Sequence, residues 1–392
     1  MLKMNKKKMF IVTTIPFSLI FFKGQITSLK DEFDITIISS PEDLLYEIAN
    51  EENVRFHALK FERNISIISD LISLFKLLVY FYKNKPDFVH GNTPKASFIS
   101  MIAAYLCNVN TRVYYVHGLR YQGLSGAKRK LIQFMEKLTC YLATNIISVS
   151  QGVKDTLIND CITKKNIELI WNGSINGINS IYFDPNKVDA EFLIQKYNIS
   201  PTDFVFGFVG RIVKDKGINE LLCAFNELNK IQMNIKLILI GPFENDLDPI
   251  TETSLTIINE NKNIIVVGFV NDVRPYYKLM NLFVFPSYRE GFGVSILEAA
   301  AMNVPSICAN IIGCNEIIID KVNGFLIVTK NEKSLFNKMK YCLSNKDLIV
   351  KMSETVRKHV LTNYDQKKLW QFSKLHYLNI LKNNKFENKI GI

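Results

Sequence analysis

Two glutamates with glycines between them form the stretch of sequence best suited to chemistry. Glu290 and Glu298 are separated by seven residues. The residues between them include Gly291, Phe292, Gly293 and Val294. The segment before them, Leu282–Phe285, is apolar and of strand length, and the segment after them is rich in Ala and Leu. The stretch therefore predicts a strand, a glycine-containing loop and a helix N-terminus, which favours an anionic ligand such as phosphate.

The two carboxylates restrict the kind of ligand further. A carboxylate repels phosphate but accepts hydrogen bonds from hydroxyl groups. A sugar attached to a nucleoside diphosphate would therefore satisfy Glu290, Glu298 and the helix N-terminus together. Gly291 and Gly293 would let this ligand approach the backbone closely. The alternative is that Glu290 is a solvated loop residue and Glu298 an ordinary residue of the first helical turns.

Two cations lie upstream at a second predicted strand end. Arg211 comes just after the predicted strand Phe204–Val209, and Lys216 precedes a predicted helix at residues 218–228. Ligands of parallel sheets lie at the carboxyl ends of the strands, so both cations are expected to reach a diphosphate there. The alternative is that both are surface cations without a ligand.

The N-terminal half contains candidates at strand ends as well. His117 follows the predicted strand 112–116, and His90 ends the predicted strand 88–90. We interpret His117 as a catalytic residue, and His90 with Lys95 as residues of the acceptor side. A single histidine is more often structural than catalytic, so a structural role is the alternative for each.

Composition limits the class of protein. The chain has 392 residues, 48% of them hydrophobic, which is long enough for two globular domains. The net charge of +11 suits nucleic acid or an anionic membrane. The sequence contains no motif typical of nucleic-acid binding, so we expect a membrane surface and no nucleic acid. Seven cysteines without a Cys-x-x-Cys pair indicate a reducing compartment and no metal site.

The N-terminus has a lysine-rich start followed by an apolar run, as in a signal peptide. The run is interrupted by Pro16 and is short for a bilayer span. We therefore interpret residues 8–13 as the first strand and residues 15–23 as a loop. This interpretation predicts a cytoplasmic protein, peripheral on the inner face of the membrane.

Strands alternate with helices in two series, which is typical of doubly wound parallel sheets. Predicted strands of the first series lie at 8–13, 34–39, 54–58, 88–90, 112–116 and 145–149, and predicted helices at 65–82, 94–107 and 128–143. After an Asn- and Gly-rich connection at 171–203, predicted strands follow at 204–209, 236–240, 264–267, 282–285 and 304–309. The sequence predicts an α/β protein of two Rossmann-like domains, residues 1–180 and 181–363, with a cleft between them.

The stretch from Pro286 to Ala301 resembles a signature of the family 4 retaining glycosyltransferases, which have the GT-B fold. The Arg211 and Lys216 segment resembles the second signature of that family. Further segments across nearly the whole chain are similar to the bacterial branch that builds capsule, O-antigen and related lipid-linked glycans. The resemblance implies that residues 364–392 form a helix that returns to the first domain.

The resemblance also implies an activity without cofactor or metal. Members of this branch move a sugar from a UDP-sugar onto a sugar linked to undecaprenyl diphosphate, with galactose or N-acetylgalactosamine the favoured sugars here. The implied catalytic residues are His117, Glu290, Arg211 and Lys216. The implied donor-binding residues are Gly24, Arg211, Lys216, Glu290, Gly291, Phe292, Gly293, Val294 and Glu298.

One position departs from the family pattern, and one motif resembles that of a different fold. Gly24 stands alone where many relatives have two adjacent glycines, and Asp246-Leu247-Asp248 imitates a metal-binding triplet of a different transferase fold. We expect no metal at this triplet. Two rival hypotheses stay open: a nucleotide-sugar epimerase of GT-B architecture, and a nucleic-acid-binding protein.

Overall fold

The two predicted series of strands form two parallel sheets, one in each of two compact units. Unit 1 comprises residues 1–176 and 367–392, and unit 2 comprises residues 177–366. The structure, a computed structural model, describes residues 6–62, 66–244, 246 and 248–390, with side chains to residue 383. Ile65 of the predicted helix and Leu247 of the acidic triplet lie outside the described residues.

The strands are short and mostly buried. They are β1 Lys7–Val12, β2 Phe33–Ser39, β3 Arg55–Ala58, β4 Phe88–Asn92, β5 Thr111–Val116, β6 Asn145–Ser148, β7 Ile167–Leu169, β8 Phe204–Val209, β9 Ile235–Ile240, β10 Ile264–Gly268, β11 Leu282–Phe285, β12 Ser306–Ala309 and β13 Gly324–Ile327.

Helices connect the strands. They are α1 Gln25–Leu29, α2 Asp43–Glu52, α3 Ile67–Asn84, α4 Pro94–Leu106, α5 Gly126–Leu142, α6 Gln151–Asn159, α7 Glu191–Lys196, α8 Ile218–Ile231, α9 Glu252–Glu260, α10 Arg274–Leu279, α11 Val294–Ala301, α12 Glu332–Ser344, α13 Lys346–Tyr364 and α14 Gln366–Ile390.

The sheet of unit 1 has the order β3-β2-β1-β4-β5-β6-β7, and its described strands pair in parallel. The order reverses between β1 and β4, whose registers place Ile11 beside His90. In parallel sheets ligands bind outside the carboxyl ends of the strands at such a reversal. The segments that follow β1, β4 and β5 are therefore the part of unit 1 where a ligand is expected.

The sheet of unit 2 has the order β10-β9-β8-β11-β12-β13, also parallel. Its order reverses between β8 and β11, where Phe283 pairs with Gly207. Strand β8 is buried along its whole length, which explains its continuous apolar sequence. The segments that follow β8 and β11 contain the predicted cations and Glu290, and Glu298 lies in the next helix, α11.

The C-terminal helix α14 belongs to unit 1 from Lys367 onward. Tyr377 in α14 is buried and its hydroxyl lies 3.0 Å from Nε2 of His90. Ser373 in the same helix accepts a hydrogen bond from the Gln25 side chain, at 3.3 Å. The helix is therefore held to the first sheet by buried polar contacts as well as by apolar packing.

Several elements differ from the sequence expectation. The predicted loop at residues 15–23 is wrong, because Pro16–Phe22 form a 3-10 helix with Pro16 in its first turn. Helix α13 was missed although Ile349, Met352, Val356 and Val360 form one buried stripe at helical spacing.

Candidate functional site

In unit 2, the loop after β8 and the loop after β11 are tied to each other. The Tyr288 N–H donates to the Asp215 carbonyl oxygen at 2.9 Å, and Arg289 Nε donates to the Asp215 carboxylate at 2.7 Å. Gly217 has φ +72°, and a Cβ there would collide with the Pro286 carbonyl oxygen. Glycine at this position therefore lets the two loops approach closely, which brings their functional side chains together.

Lys216 and Glu290 meet where these loops join. The Lys216 ammonium donates to Glu290 Oε1, and the two side chains are 16% and 13% exposed. The same ammonium lies 5.2 Å from the centroid of the Phe285 ring at the end of β11. The structure therefore brings together one cation and one carboxylate that the sequence placed 74 residues apart.

Arg211 has a different partner. Its guanidinium forms an ion pair with Glu244 at 2.5 Å, and the arginine side chain is 49% exposed. The neighbouring Ile212 N–H donates to the Pro242 carbonyl oxygen at 2.8 Å, which fixes the backbone of this loop. Arg211 therefore stands at the solvent side of the loop, with a long side chain held by a surface carboxylate.

Gly293 is the N-cap residue of α11, and no side chain caps this helix N-terminus. The Gly293 N–H donates to the Gly313 carbonyl oxygen at 2.9 Å. Gly313 has φ +77°, and a Cβ there would lie 2.8 Å from the Gly291 carbonyl group. The sequence analysis did not identify Gly313 as a site residue, although its position shortly after strand β12 could have indicated it. The loop from Gly291 to Val294 is thus held against a second glycine turn, with the helix N-terminus behind it.

Glu298 lies one turn into α11 and is half-buried. The Tyr277 hydroxyl donates to Glu298 Oε2 at 3.0 Å. Burial raises the pKa of Glu298 to about 7, and the hydrogen bond from Tyr277 opposes part of this shift. The sequence missed Tyr277, which fixes the orientation of this carboxylate.

In unit 1, the ends of β4 and β5 carry a chain of hydrogen bonds. Asn92 Oδ1 lies 2.9 Å from His117 Nε2, and Asn92 Nδ2 lies 2.9 Å from His90 Nδ1. His90 Nε2 then contacts the Tyr377 hydroxyl. Because an amide oxygen accepts and an amide nitrogen donates, both histidines carry their proton on Nε2. This arrangement leaves Nδ1 of His117 as a hydrogen-bond acceptor.

Burial lowers the pKa of both His90 and His117 to about 3, so both rings are neutral at pH 7. The His117 ring is half-buried and lies against the Phe22 and Tyr115 rings, at centroid distances of 5.7 and 4.7 Å. His90 is 1% exposed, so it does not contact a ligand itself and is linked to His117 through Asn92. The neutral His117 ring is suited to accept a hydrogen bond rather than to bind an anion.

Two other predicted residues of unit 1 have partners within that unit. The Gly24 N–H donates to Glu52 Oε1 at 2.5 Å, and a Cβ on Gly24 would lie 2.5 Å from the Trp370 ring. Lys95 is 7% exposed and pairs with Asp70 at 2.7 Å. Their assignments to the diphosphate and to the acceptor side stay predictions.

The acidic triplet is partly described. The Asp248 carboxylate accepts a hydrogen bond from the Asp215 N–H at 2.7 Å, so it supports the loop that carries Lys216. Among the described residues, no group of three His, Cys, Asp or Glu side chains is arranged to hold a metal ion. Within the same part of the chain, none of the helices combines the length and the apolar character needed to cross a membrane.

Two family models match the chain, one in each unit. Glycosyl transferase 4-like matches residues 14–150, and Glycosyl transferases group 1 matches residues 189–359. The capsular polysaccharide biosynthesis glycosyltransferase CapM of Staphylococcus aureus is 34% identical over 382 residues, which cover 97% of this chain and 99% of the relative. The chain belongs to the family 4 glycosyltransferases. The family predicted from the two signatures is therefore confirmed.

Two further comparisons describe this glycosyltransferase. UDP-Gal:alpha-D-GlcNAc-diphosphoundecaprenol alpha-1,3-galactosyltransferase of Escherichia coli is 28% identical over 346 residues, 86% of each chain. The structure of Anabaena HepE in complex with UDP-glucose superposes with a TM-score of 0.78 at 18% identity, covering 95% of this chain and 99% of that one. The predicted GT-B fold is confirmed.

Proposed function

We propose that this glycosyltransferase moves a hexose or an N-acetylhexosamine from a UDP-sugar to a sugar linked to undecaprenyl diphosphate. The favoured donor sugars are galactose and N-acetylgalactosamine, and the product belongs to a capsule, an O-antigen or a related glycan. The similarity to the E. coli relative, whose name gives UDP-Gal and a diphosphoundecaprenol acceptor, supports the donor and acceptor classes. The similarity in fold to HepE, solved with UDP-glucose, is compatible with a UDP-sugar.

The observation that carries the proposal is the Lys216–Glu290 pair beside the N-terminus of α11. A diphosphate needs positive charge and N–H donors, which Lys216 and the helix N-terminus supply. The hydroxyl groups of a sugar need an acceptor close to that diphosphate, which Glu290 supplies. The reversal of strand order between β8 and β11 is where such a ligand is expected in a parallel sheet.

The proposed reaction breaks the bond between the anomeric carbon and a phosphate oxygen, with retention of the anomeric configuration. Negative charge develops on UDP as this bond breaks. Lys216, Arg211 released from Glu244, and the N-terminus of α11 stabilise that charge and provide what a metal ion would otherwise provide. Glu290 steadies the carbon as it becomes cationic, and Glu298 accepts hydrogen bonds from the ribose hydroxyls.

The acceptor hydroxyl attacks from the same face, and the leaving phosphate oxygen takes its proton. In this proposal His117 accepts a hydrogen bond from the donor sugar through Nδ1, since its ring is neutral and its Nε2 is held by Asn92. Gly24 contributes to the donor side, and His90 and Lys95 support the acceptor side. The enzyme works at the inner face of the cell membrane as a peripheral protein, because its acceptor is a lipid.

The experiment compares Glu290→Gln with Glu260→Gln, a matched change at an exposed residue of α9. Transfer is measured with a panel of UDP-sugars and a synthetic lipid-diphosphate sugar, and UDP binding is measured by calorimetry. We expect Glu290→Gln to lower kcat by at least about 100-fold, as loss of one group that stabilises the transition state does, while UDP still binds. Loss of UDP binding with turnover preserved at saturation would refute this role for Glu290. Conversion of a UDP-sugar without acceptor would instead identify an epimerase.

A further inference from the structure

Helix α3 presents an apolar face to solvent. Its inward stripe consists of Ser73, Leu77 and Phe81, which are buried against unit 1. The opposite side is unusually rich in large exposed apolar side chains. They are Ile67, Ile68, Leu71, Ile72, Phe75, Val79 and Tyr82, and six of them are more than half exposed: Ile67 75%, Ile68 75%, Leu71 59%, Ile72 51%, Phe75 68% and Tyr82 76%. A helix that is apolar on both sides requires a second environment of low polarity for its outer face.

Two neighbouring helices extend this surface. Helix α4 packs against both α3 and α5, so the three helices form one layer. The exposed apolar residues continue from α3 with Tyr105 and Leu106 at the end of α4 and with Leu131, Phe134 and Tyr141 on α5. We call the outward surface of these three helices the α3–α5 face.

The charges on the α3–α5 face have one sign. Its exposed charged residues on α3 and α5 are Lys76, Lys83, Lys128, Lys130 and Lys137. The three helices contain two acidic residues, and neither is exposed. Asp70 pairs with the buried Lys95 at 2.7 Å, and Glu136 is 2% exposed and accepts a hydrogen bond from the Tyr114 hydroxyl at 2.6 Å.

We propose that the α3–α5 face docks on a phospholipid bilayer that contains anionic headgroups. An apolar helix face flanked by lysines, with tyrosines near its edges, matches the boundary between acyl chains and headgroups. Charge decides between this occupant and a second copy of the chain, because two such faces would bring lysines against lysines. The inference extends the proposed function, since a lipid-diphosphate acceptor is held in a bilayer, and it names the surface that meets that bilayer.

The experiment measures sedimentation of the full chain with vesicles of phosphatidylcholine, with and without phosphatidylglycerol, at low and high salt. The test variant is Leu71→Glu with Phe75→Glu. The matched control is Met233→Glu with Val322→Glu, at residues of unit 2 that are 75% and 60% exposed. We expect the test variant to lower the vesicle partition coefficient at least about tenfold, and the control to leave it within about twofold.

A second variant keeps the proposal testable if the first variant does not fold. Lys76→Gln with Lys83→Gln and Lys130→Gln changes exposed charges and no packing. We expect it to bind anionic vesicles about as weakly as neutral ones and to lose the salt dependence of the wild-type protein. The proposal is overturned if both variants bind anionic vesicles like wild type, or if the protein dimerises through this face without lipid. Neither assay contains a sugar nucleotide, so failure of docking is distinguished from failure of the transfer proposal.

Discussion

Asn92 is the residue on which the hydrogen-bond chain of unit 1 depends. Replacing it by Ala removes the partner of His117 Nε2 and the donor to His90 Nδ1, both at 2.9 Å. A buried polar atom without a partner costs about 1–3 kcal/mol. The full penalty applies to His90, which is 1% exposed, whereas water can partly replace the lost partner of the half-buried His117. We therefore expect Asn92→Ala to lower the free energy of unfolding of unit 1 by about 2–4 kcal/mol.

The chain offers a local probe for this measurement. Both of its tryptophans, Trp171 and Trp370, belong to unit 1, so tryptophan fluorescence in guanidinium reports the unfolding of that unit. Asn166→Ala, at an exposed residue of the same unit, is the matched control and should change the free energy by less than about 0.5 kcal/mol. Transfer should also slow in Asn92→Ala, because the His117 ring loses its fixed tautomer and orientation.

The Asn92→Asp variant separates the two contacts. The carboxylate still accepts from His117 Nε2, but it cannot donate to His90 Nδ1, and its charge should raise the pKa of both rings. Its stability should therefore approach that of wild type as the pH falls. If Asn92→Ala changes the free energy of unfolding by less than about 0.5 kcal/mol, the two histidines do not depend on Asn92 and the reasoning is refuted.

Three further predictions concern Tyr277, Gly217 and the two buried histidines. Tyr277→Phe should weaken UDP binding by about three- to tenfold in calorimetry, because Glu298 loses the hydroxyl that orients it; unchanged affinity would exclude that role. Gly217→Ala should destabilise unit 2 by more than about 1 kcal/mol in thermal unfolding, because φ is +72° and the Pro286 carbonyl blocks a Cβ, whereas Gly126→Ala, with open space around it, should cost less. Between pH 6.5 and about 3, His90 and His117 are protonated in the unfolded chain but not in the folded chain, so their contribution to the free energy of unfolding should fall as the pH falls. Denaturant titrations at several pH values measure this change. A contribution that does not change with pH would contradict the burial of the two histidines.

Glu298 contributes with the opposite sign to the same profile. Its folded pKa of about 7 is above the unfolded value, so its contribution is present below pH 4.5 and is lost as pH rises towards 7. Between pH 4.5 and 6.5 the contribution of Glu298 therefore offsets part of the contribution of the two histidines. The histidine contribution should be seen most clearly below pH 4.5.

The sequence predicted the parts of the site that depend on local order along the chain. The segments around Lys216 and Glu290 each follow a short apolar strand, so their position at the carboxyl edge of a sheet could be inferred from strand alternation alone. The meeting of the two side chains also depends on β8 and β11 being neighbours in the sheet, which strand alternation alone does not predict.

Contacts between distant segments could not be inferred in the same way. Tyr377 lies 287 residues from His90 along the chain, and no local sequence pattern predicts the hydrogen bond between them. The partner of Arg211 was missed because Glu244 lies in a loop after β9, whose course is set by packing rather than by periodicity. The outer face of α3 was missed because its sequence is apolar on both sides, so spacing alone does not tell which side is buried.

The proposed transfer depends most on binding of the donor diphosphate by Lys216 and the N-terminus of α11. The direct measurement is calorimetric titration of UDP into the wild-type protein, Lys216→Gln and the exposed control Lys262→Gln, at low and high salt. We expect Lys216→Gln to weaken UDP binding at least about tenfold, or about 1.4 kcal/mol, and to reduce its salt dependence, while Lys262→Gln binds UDP as the wild-type protein does. Equal UDP affinity in Lys216→Gln and in the wild-type protein would contradict a role of Lys216 in binding the diphosphate.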